Sequence, residues 1–225
     1  MLVHAAPKHC CGALAAPTKE KPKVLRKIPI KKQRDGGAAG DNSNTQYASL
    51  GLRACFDAGI LIPEETIQLA VRWLIESMHA AEGEDKAGKG ADEGKAYGSM
   101  TAGGVGALTI YDYMLKKDWK KDANVKNGLA WLGKNFSATS NPGRGNSWEL
   151  YYLYGVERAG VLYGTEKMGD HDWYLEGAKH LISIQDGDGS WKVAGSEHPT
   201  WDTCFDILFL KKATKPLVAS TDGKR

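Results

Sequence analysis

The chain has 225 residues, of which 42% are hydrophobic, and its formal net charge is +3. A chain of this length can bury the core of one sizeable domain. Its sequence has no run of about 18 apolar residues, the length that would predict a transmembrane helix.

Positive charge is concentrated in residues 1–40, which contain nine Lys and Arg residues against only Glu20 and Asp35. A basic arm of this kind can contact nucleic acid or anionic lipid. It contains no aromatic residue that could stack on bases. We therefore expect a disordered, solvated arm and no nucleic-acid partner.

From residue 41 onward, apolar residues recur at helical spacing, and this pattern predicts an all-α domain over residues 41–215. Residues 80–98 are charged and of low complexity, which predicts an exposed, mobile loop. Residues 216–225 are predicted to form a tail. The predicted helices cover residues 45–59, 64–80, 99–117, 123–136, 147–164, 172–185 and 200–213.

Similar segments recur about every 50 residues, which indicates a repeat of helical hairpins. One type of helix is apolar or small nearly all round, and its cores begin at residues 45, 101, 148 and 203. The other type has one apolar stripe and a charged face. The first type contains "TAGGVGAL", whose glycines each cost about 1 kcal/mol relative to Ala in a helix. We therefore predict closely packed inner helices alternating with outer ones in a ring or arc, with a solenoid as the competing arrangement.

The stretch "GAKHLISIQDGDGSW" resembles the QW motif of squalene–hopene and oxidosqualene cyclases. In that family the motif closes an outer helix and leads to the next inner one, its Gln binds a neighbouring helix end, and its Trp stacks on the Gln. The resemblance implies a structural role for this turn. The positions that carry it are Gly177, Ala178, Leu181, Ile182, Gln185, Gly189 and Trp191.

Residues 41–215 also resemble the prenyltransferase/squalene-oxidase-repeat proteins of planctomycete-type bacteria, through strings such as "DNSNTQYASLGL", "GSMTAGGVGALTIYDYM" and "DTCFDILFL". The likeness implies an α/α toroid and an isoprenoid or other apolar ligand in its axial cavity. Full toroids of the family have about twelve helices, whereas seven are predicted here. That difference implies a partial toroid, an open arc, or a ring that is closed by a further segment or by self-association.

The string "DNSNTQ" is the most polar start of any predicted inner helix. If the inner helices converge, this start lines their shared cavity. The alternative role for these residues is helix capping and hydrogen bonding between helices. Asp41 is the first candidate for a catalytic acid, and Asn42, Asn44 and Gln46 are candidates for ligand binding.

The string "WELYYLYGVERAG" supplies an aromatic wall and a second candidate acid, Glu157. Aromatic rings that face a cavity can stabilise a carbocation through their quadrupoles. The alternative is an aromatic core, with Glu157 paired to Arg158 or to Arg53. The aromatic candidates for ligand binding are Trp148, Tyr151, Tyr152 and Tyr154.

No metal and no cofactor are expected. Asp202 and Cys204 resemble the Asp-x-Cys zinc pair of protein prenyltransferase β-subunits, but a residue at a helix N-terminus and a core cysteine also explain these two positions. The acidic DxDD and DCTA motifs, with which cyclases protonate an alkene or an epoxide, do not occur.

Two functions fit these residues. The first is a terpenoid-cyclase-like domain that binds an isoprenoid, either with or without isomerase or lyase activity. The second, favoured by the missing acidic motifs, is a non-catalytic repeat scaffold that binds protein or peptide. Either function is compatible with a cytoplasmic location or with peripheral contact with a membrane.

Overall fold

A computed structural model describes residues 41–77, 96–193 and 198–217. These residues form seven helices and no strand, which confirms the all-α prediction. The predicted basic arm and parts of the predicted loop and tail lie outside the described residues. The helices are α1 (Asn42–Asp57), α2 (Glu64–Ser77), α3 (Gly98–Met114), α4 (Ala123–Asn135), α5 (Glu149–Tyr163), α6 (Trp173–Ile184) and α7 (Pro199–Leu210).

Local capping residues explain where several helices begin. The Asp41 side chain accepts a hydrogen bond from the backbone N–H of Ser43. Asp122 caps α4 and Asp172 caps α6 in the same way. Each cap satisfies a backbone N–H that the helix itself leaves without a partner. The described helices are each too short or too polar to cross a membrane.

Helices α3 and α5 form the centre of the molecule. Fifteen of the 17 residues of α3 are buried, and so are 12 of the 15 residues of α5. Helix α1 packs on α3, α3 on α5, and α5 on α7, so these four helices form one row, the inner row. Helices α2, α4 and α6 pack against the inner row with two, four and three buried residues. The alternation of apolar and amphipathic helices is therefore an alternation of two layers.

The two ends of the inner row differ from the sequence-based prediction. Helices α1 and α7 bury only three residues each, because each packs closely on a single member of the row. Within the described residues, α1 and α7 share no extensive contact. Helix α2 packs on α3 and not extensively on α1, so the first predicted helix pair is not a compact hairpin.

The glycines of α3 have different surroundings. A Cβ at Gly103 would lie 2.9 Å from Cδ of Gln46 on α1, so this glycine permits close packing. A Cβ at Gly106 would make an ordinary contact of 3.5 Å, and a Cβ at Gly104 would have no atom within 4 Å. Close approach between helices therefore explains one of the three glycines.

The turn after α6 ties α6 to α7. Trp191 is buried, and its Nε1 donates to the carbonyl oxygen of Leu181 at 2.8 Å. Its backbone N–H donates to Oγ1 of Thr203 on α7 at 3.1 Å. Gln185 donates to the carbonyl oxygen of Gly189 at 3.0 Å, inside its own turn. Trp191 thus links α6 to α7, whereas Gln185 closes its own turn and, among the described residues, binds no neighbouring helix end.

Candidate functional site

The first turns of all four inner helices surround one cavity of about 750 Å³. Asn42 and Ser43 contribute from α1, Ser99 and Met100 from α3, and Trp201 from α7, while Trp148 precedes α5. Four N-termini at one cavity require four inner helices that run in the same direction. The partial positive charges of these helix ends therefore face a common space.

Six of the fourteen residues that line the cavity are aromatic. Tyr151 packs on Phe205 of α7 with ring centroids 5.4 Å apart, and Trp148 meets Tyr151 edge-on at 6.1 Å. Trp148 and Trp201 lie at the rim, where their side chains are 55% and 50% exposed. The rings offer both apolar area and π-faces to a ligand. The aromatic lining residues are Tyr47, Tyr97, Trp148, Tyr151, Trp201 and Phe205.

Polar residues cover the other side of the cavity. Buried Asn141 accepts from the backbone N–H of Ser99 at 2.9 Å and donates to the backbone oxygen of Ser147 at 3.1 Å. It thereby anchors the loop before α5 to the start of α3. The guanidinium of Arg144, from the same loop, lies 4.3 Å from the ring centroid of Tyr97. A positive group and several hydrogen-bonding groups thus line the same cavity as the aromatic rings.

Trp148 has an unusual backbone conformation. Its φ is 61° and its ψ is 33°, in the left-handed region that a bulky residue rarely adopts. Such a conformation costs about 1–3 kcal/mol and persists only where surrounding structure holds it. It directs a large indole to the rim of the cavity, directly before the first turn of α5.

Four of the predicted site residues line the cavity: Asp41, Asn42, Trp148 and Tyr151. The carboxylate of Asp41 accepts from the backbone N–H of Ser43 at 2.7 Å and from its hydroxyl at 2.6 Å. The Asn44 amide donates to the same carboxylate at 3.0 Å. Asp41 and Asn44 therefore act as the capping network of α1, the alternative that the sequence left open.

The other predicted ligand-binding residues are not part of the cavity lining. Gln46 is buried behind it and donates to the hydroxyl oxygen of Tyr151. Tyr152 is fully buried in the core, where its ring fills the space that a Cβ at Gly98 would need. Tyr154 is half-buried and stacks on Phe205 at 5.8 Å. Successive helical residues point about 100° apart, so Tyr151 and Tyr152 face different neighbours.

Glu157 lies away from the cavity and does not pair with Arg158 or Arg53 in the way the sequence suggested. It is fully buried and accepts from the backbone N–H of Thr214 at 3.0 Å and from its hydroxyl at 2.5 Å. Burial raises the pKa of this carboxyl, against the lowering effect of those two hydrogen bonds. Glu157 therefore anchors the segment after α7.

Three buried acids that interact with one another were not predicted from the sequence; we call Glu149, Asp202 and Asp206 the acid cluster. Glu149 is bonded to Nε2 of His180 at 2.6 Å. Asp206 is fully buried, and neither of its carboxyl oxygens has a hydrogen-bond partner in the described part of the chain. Burial first, then Asp202 and Glu149, raises the pKa of Asp206 to about 8.

A sequence signal for this cluster did exist. An Asp at position 206 stands inside the apolar string "CFDILFL", where a charged residue is unusual. Cys204 was expected in the core, but its side chain is exposed. Among the described residues, no three His, Cys, Asp or Glu side chains are arranged to hold a metal ion.

No protein-family model, no curated protein and no solved structure matches this chain. The fold and the cavity are therefore interpreted from their own geometry.

Proposed function

We propose that the chain is a terpenoid-cyclase-like repeat domain that binds an isoprenoid or another apolar molecule in the cavity at the N-terminal ends of the inner row. The observation that carries the proposal is a cavity of about 750 Å³ with six aromatic side chains in its lining. Ligand sites of small molecules have volumes of about 300–1,000 Å³ and are mostly apolar with a few polar groups.

The geometry supports binding better than it supports catalysis. Asp41 is the one carboxylic acid in the cavity lining of the described residues, and its oxygens accept three hydrogen bonds from the start of α1. Both oxygens of this carboxyl group are therefore engaged in capping α1. Isomerase or lyase chemistry that starts by protonating an alkene would need a different acid in the cavity.

The incomplete ring belongs to the same proposal. Helices α1 and α7 form the two ends of the inner row, and a further helical segment or a second copy would cover them. In this proposal the domain is a partial toroid, and the cavity lies where its inner helices begin. The apolar ligand would be shielded more completely once the two ends were covered.

Native mass spectrometry of the full chain with farnesol and with squalene tests the proposal, together with a variant that blocks the cavity. Ser147→Trp adds a large ring to the exposed rim of the cavity lining and should abolish ligand retention. Asn146→Trp is the matched control, because Asn146 is the exposed neighbour outside the lining. Equal retention by both variants, or none by the wild type, would contradict the proposal.

Binding of a peptide is the second candidate function. Its support is the exposure of Trp148 and Trp201 at the rim, because exposed aromatic residues beside hydrogen-bonding groups suit a peptide as well as a lipid. A screen of short apolar peptides by tryptophan fluorescence, with farnesol as competitor, separates the two candidates. If farnesol displaces a bound peptide and the peptide displaces bound farnesol, both ligands occupy the same cavity.

A further inference from the structure

Arg158 is a buried cation that forms no ion pair with any described residue. Its side chain belongs to α5, and the residue is only 3% exposed. None of the ion pairs among the described residues includes it. Its Nη1 is buried and has no hydrogen-bond partner there. A buried, uncompensated charge is strongly unfavourable, so this arrangement needs an explanation.

The groups that contact Arg158 hold it in place, and Glu157, an adjacent acid whose charge interacts with Arg158, is hydrogen-bonded to Thr214 instead. Its Nη2 donates to Oε1 of Gln46 on α1. Its guanidinium stacks on the ring of Tyr154, 4.1 Å from the ring centroid, and lies 5.2 Å from that of Tyr47. Stacking on Tyr154 and the hydrogen bond to the Gln46 amide orient the guanidinium but supply no negative charge.

A second donor without an acceptor lies beside it. Because Oε1 of Gln46 accepts from the guanidinium, the Nε2 of the same amide must face Tyr151, and it donates to the Tyr151 hydroxyl oxygen. The hydroxyl hydrogen of Tyr151 then has no acceptor among the described residues. Burial raises the pKa of this hydroxyl, so the hydrogen stays on the oxygen.

These donors lie directly behind the wall of the cavity. Tyr151 and Tyr47 both line the cavity, and both contact the Gln46–Arg158 pair from the other side. The Tyr47 side chain is 41% exposed, so its ring has room to move. Arg158 itself does not line the cavity, so a ligand group would have to displace the Tyr47 ring to reach the guanidinium and the Tyr151 hydroxyl.

We propose that Arg158 and Tyr151 bind an oxyanion, a carboxylate or a phosphate monoester, carried by the apolar ligand of the cavity. The inference rests on the proposed function for the apolar body of that ligand, but the anion site stands on the unpaired guanidinium. Nη1 of Arg158 supplies charge and a hydrogen bond, the Tyr151 hydroxyl supplies a second hydrogen bond, and the aromatic wall holds the hydrocarbon.

The test compares ligands that share one 15-carbon body and differ in the head group: farnesol, farnesoic acid and farnesyl monophosphate. We expect the two anions to bind the full wild-type chain at least about tenfold more tightly than farnesol, since hydrogen bonds to a charged group are about twice as strong as neutral ones. The affinities are measured by titration calorimetry, and the order of the two anions tells a carboxylate site from a phosphate site.

Arg158→Met is the decisive variant, because Met fills a similar volume without charge. We expect it to bring the affinities of both anions to within about twofold of that of farnesol, and Arg158→Lys to keep part of the preference for anions. Equal losses for farnesol and the anions, or no preference for anions in the wild type, would overturn the inference.

A second measurement keeps the inference testable if Arg158→Met does not fold or if farnesol does not bind. Benzoate, a small carboxylate without an isoprenoid body, should raise the melting temperature of the wild type, and Tyr151→Phe should reduce that shift. A benzoate shift without farnesol binding would reject the isoprenoid and keep the anion site. Farnesol binding without a benzoate shift and without a preference for anions would reject the anion site and keep the isoprenoid as the ligand.

Discussion

Gly177 of α6 lies directly against the ring of Phe209 of α7, so closely that a Cβ at position 177 would overlap the ring. Phe209 is fully buried and also stacks on Tyr174 at 5.7 Å. The glycine at the start of the QW-like motif therefore lets an outer helix and an inner helix touch. The close packing of α6 on α7 therefore explains why this position of the motif is a glycine.

Gly177→Ala is expected to destabilise the protein by about 1–3 kcal/mol, because the added methyl group must displace a buried ring. Gly104→Ala is the matched control in α3, where a Cβ would meet nothing within 4 Å. Its expected effect is a gain of about 0.5–1 kcal/mol, since Ala favours the helix. Urea unfolding followed by circular dichroism measures both, and a neutral Gly177→Ala would show that α6 and α7 can separate freely.

Trp148→Gly tests whether the strained rim residue serves ligand binding. Glycine adopts a φ of 61° without strain. Relief of the strain should raise the free energy of unfolding by about 1 kcal/mol, which offsets the loss of ring contacts. We therefore expect nearly unchanged stability and a weaker affinity for the cavity ligand.

Lys116→Gly is the control for Trp148→Gly, because Lys116 has a φ of 59° and lies outside the cavity lining. In this control, relief of the strain should raise the free energy of unfolding by about 1 kcal/mol, and ligand affinity should be unchanged. If both variants bound the ligand as the wild type does, Trp148 would have no part in binding.

The acid cluster predicts that stability falls as pH rises. The pKa of Asp206 is about 8 in the folded protein and 3.8 ordinarily, so the folded state holds a proton that the unfolded state releases between those two values. The contribution of Asp206 is greatest below pH 3.8 and is lost as pH rises toward 8. Glu149 and Asp202, the other two acids of the cluster, and His180, which is hydrogen-bonded to Glu149, are unchanged in the comparison below.

Asp206→Asn removes this proton and should flatten the fall in unfolding free energy between pH 4 and pH 8. At pH 8 the variant should exceed the wild type by about 1 kcal/mol or more, because the amide does not titrate, whereas the buried Asp206 carboxyl must hold a proton that the unfolded chain has released. Urea titrations at four pH values measure the difference, and Asp170→Asn on the surface is the control. Parallel pH profiles for Asp206→Asn and the wild type would show that Asp206 is ionised and compensated.

Trp191→Phe tests the turn between α6 and α7. The substitution keeps most of the buried ring but leaves the carbonyl oxygen of Leu181 without its indole donor, which should cost about 1–3 kcal/mol. Trp73→Phe, at a residue 41% exposed, should change stability by less than about 0.5 kcal/mol. Thermal melts of the wild type and of both variants measure the effects. Equal melting temperatures for Trp191→Phe and Trp73→Phe would show that the indole hydrogen bond of Trp191 does not stabilise the turn.

Short-range chemistry was sufficient to predict the elements of the fold. The helical period located all seven described helices to within three residues at their ends, and capping by Asp41 was one of the two roles predicted for the start of α1, since both signals depend on neighbours a few residues away. The segregation into apolar and amphipathic helices also predicted which helices lie in the inner row.

Only the tertiary structure decided which residues meet at the cavity. Glu157 is nine residues beyond Trp148, about 14 Å along the helix axis, so one helix could not bring both to one site, and Glu157 instead binds Thr214. Gln46 and Arg158 are 112 positions apart. A single sequence records no contact over that distance, because such contacts arise from packing of whole helices and not from any local pattern.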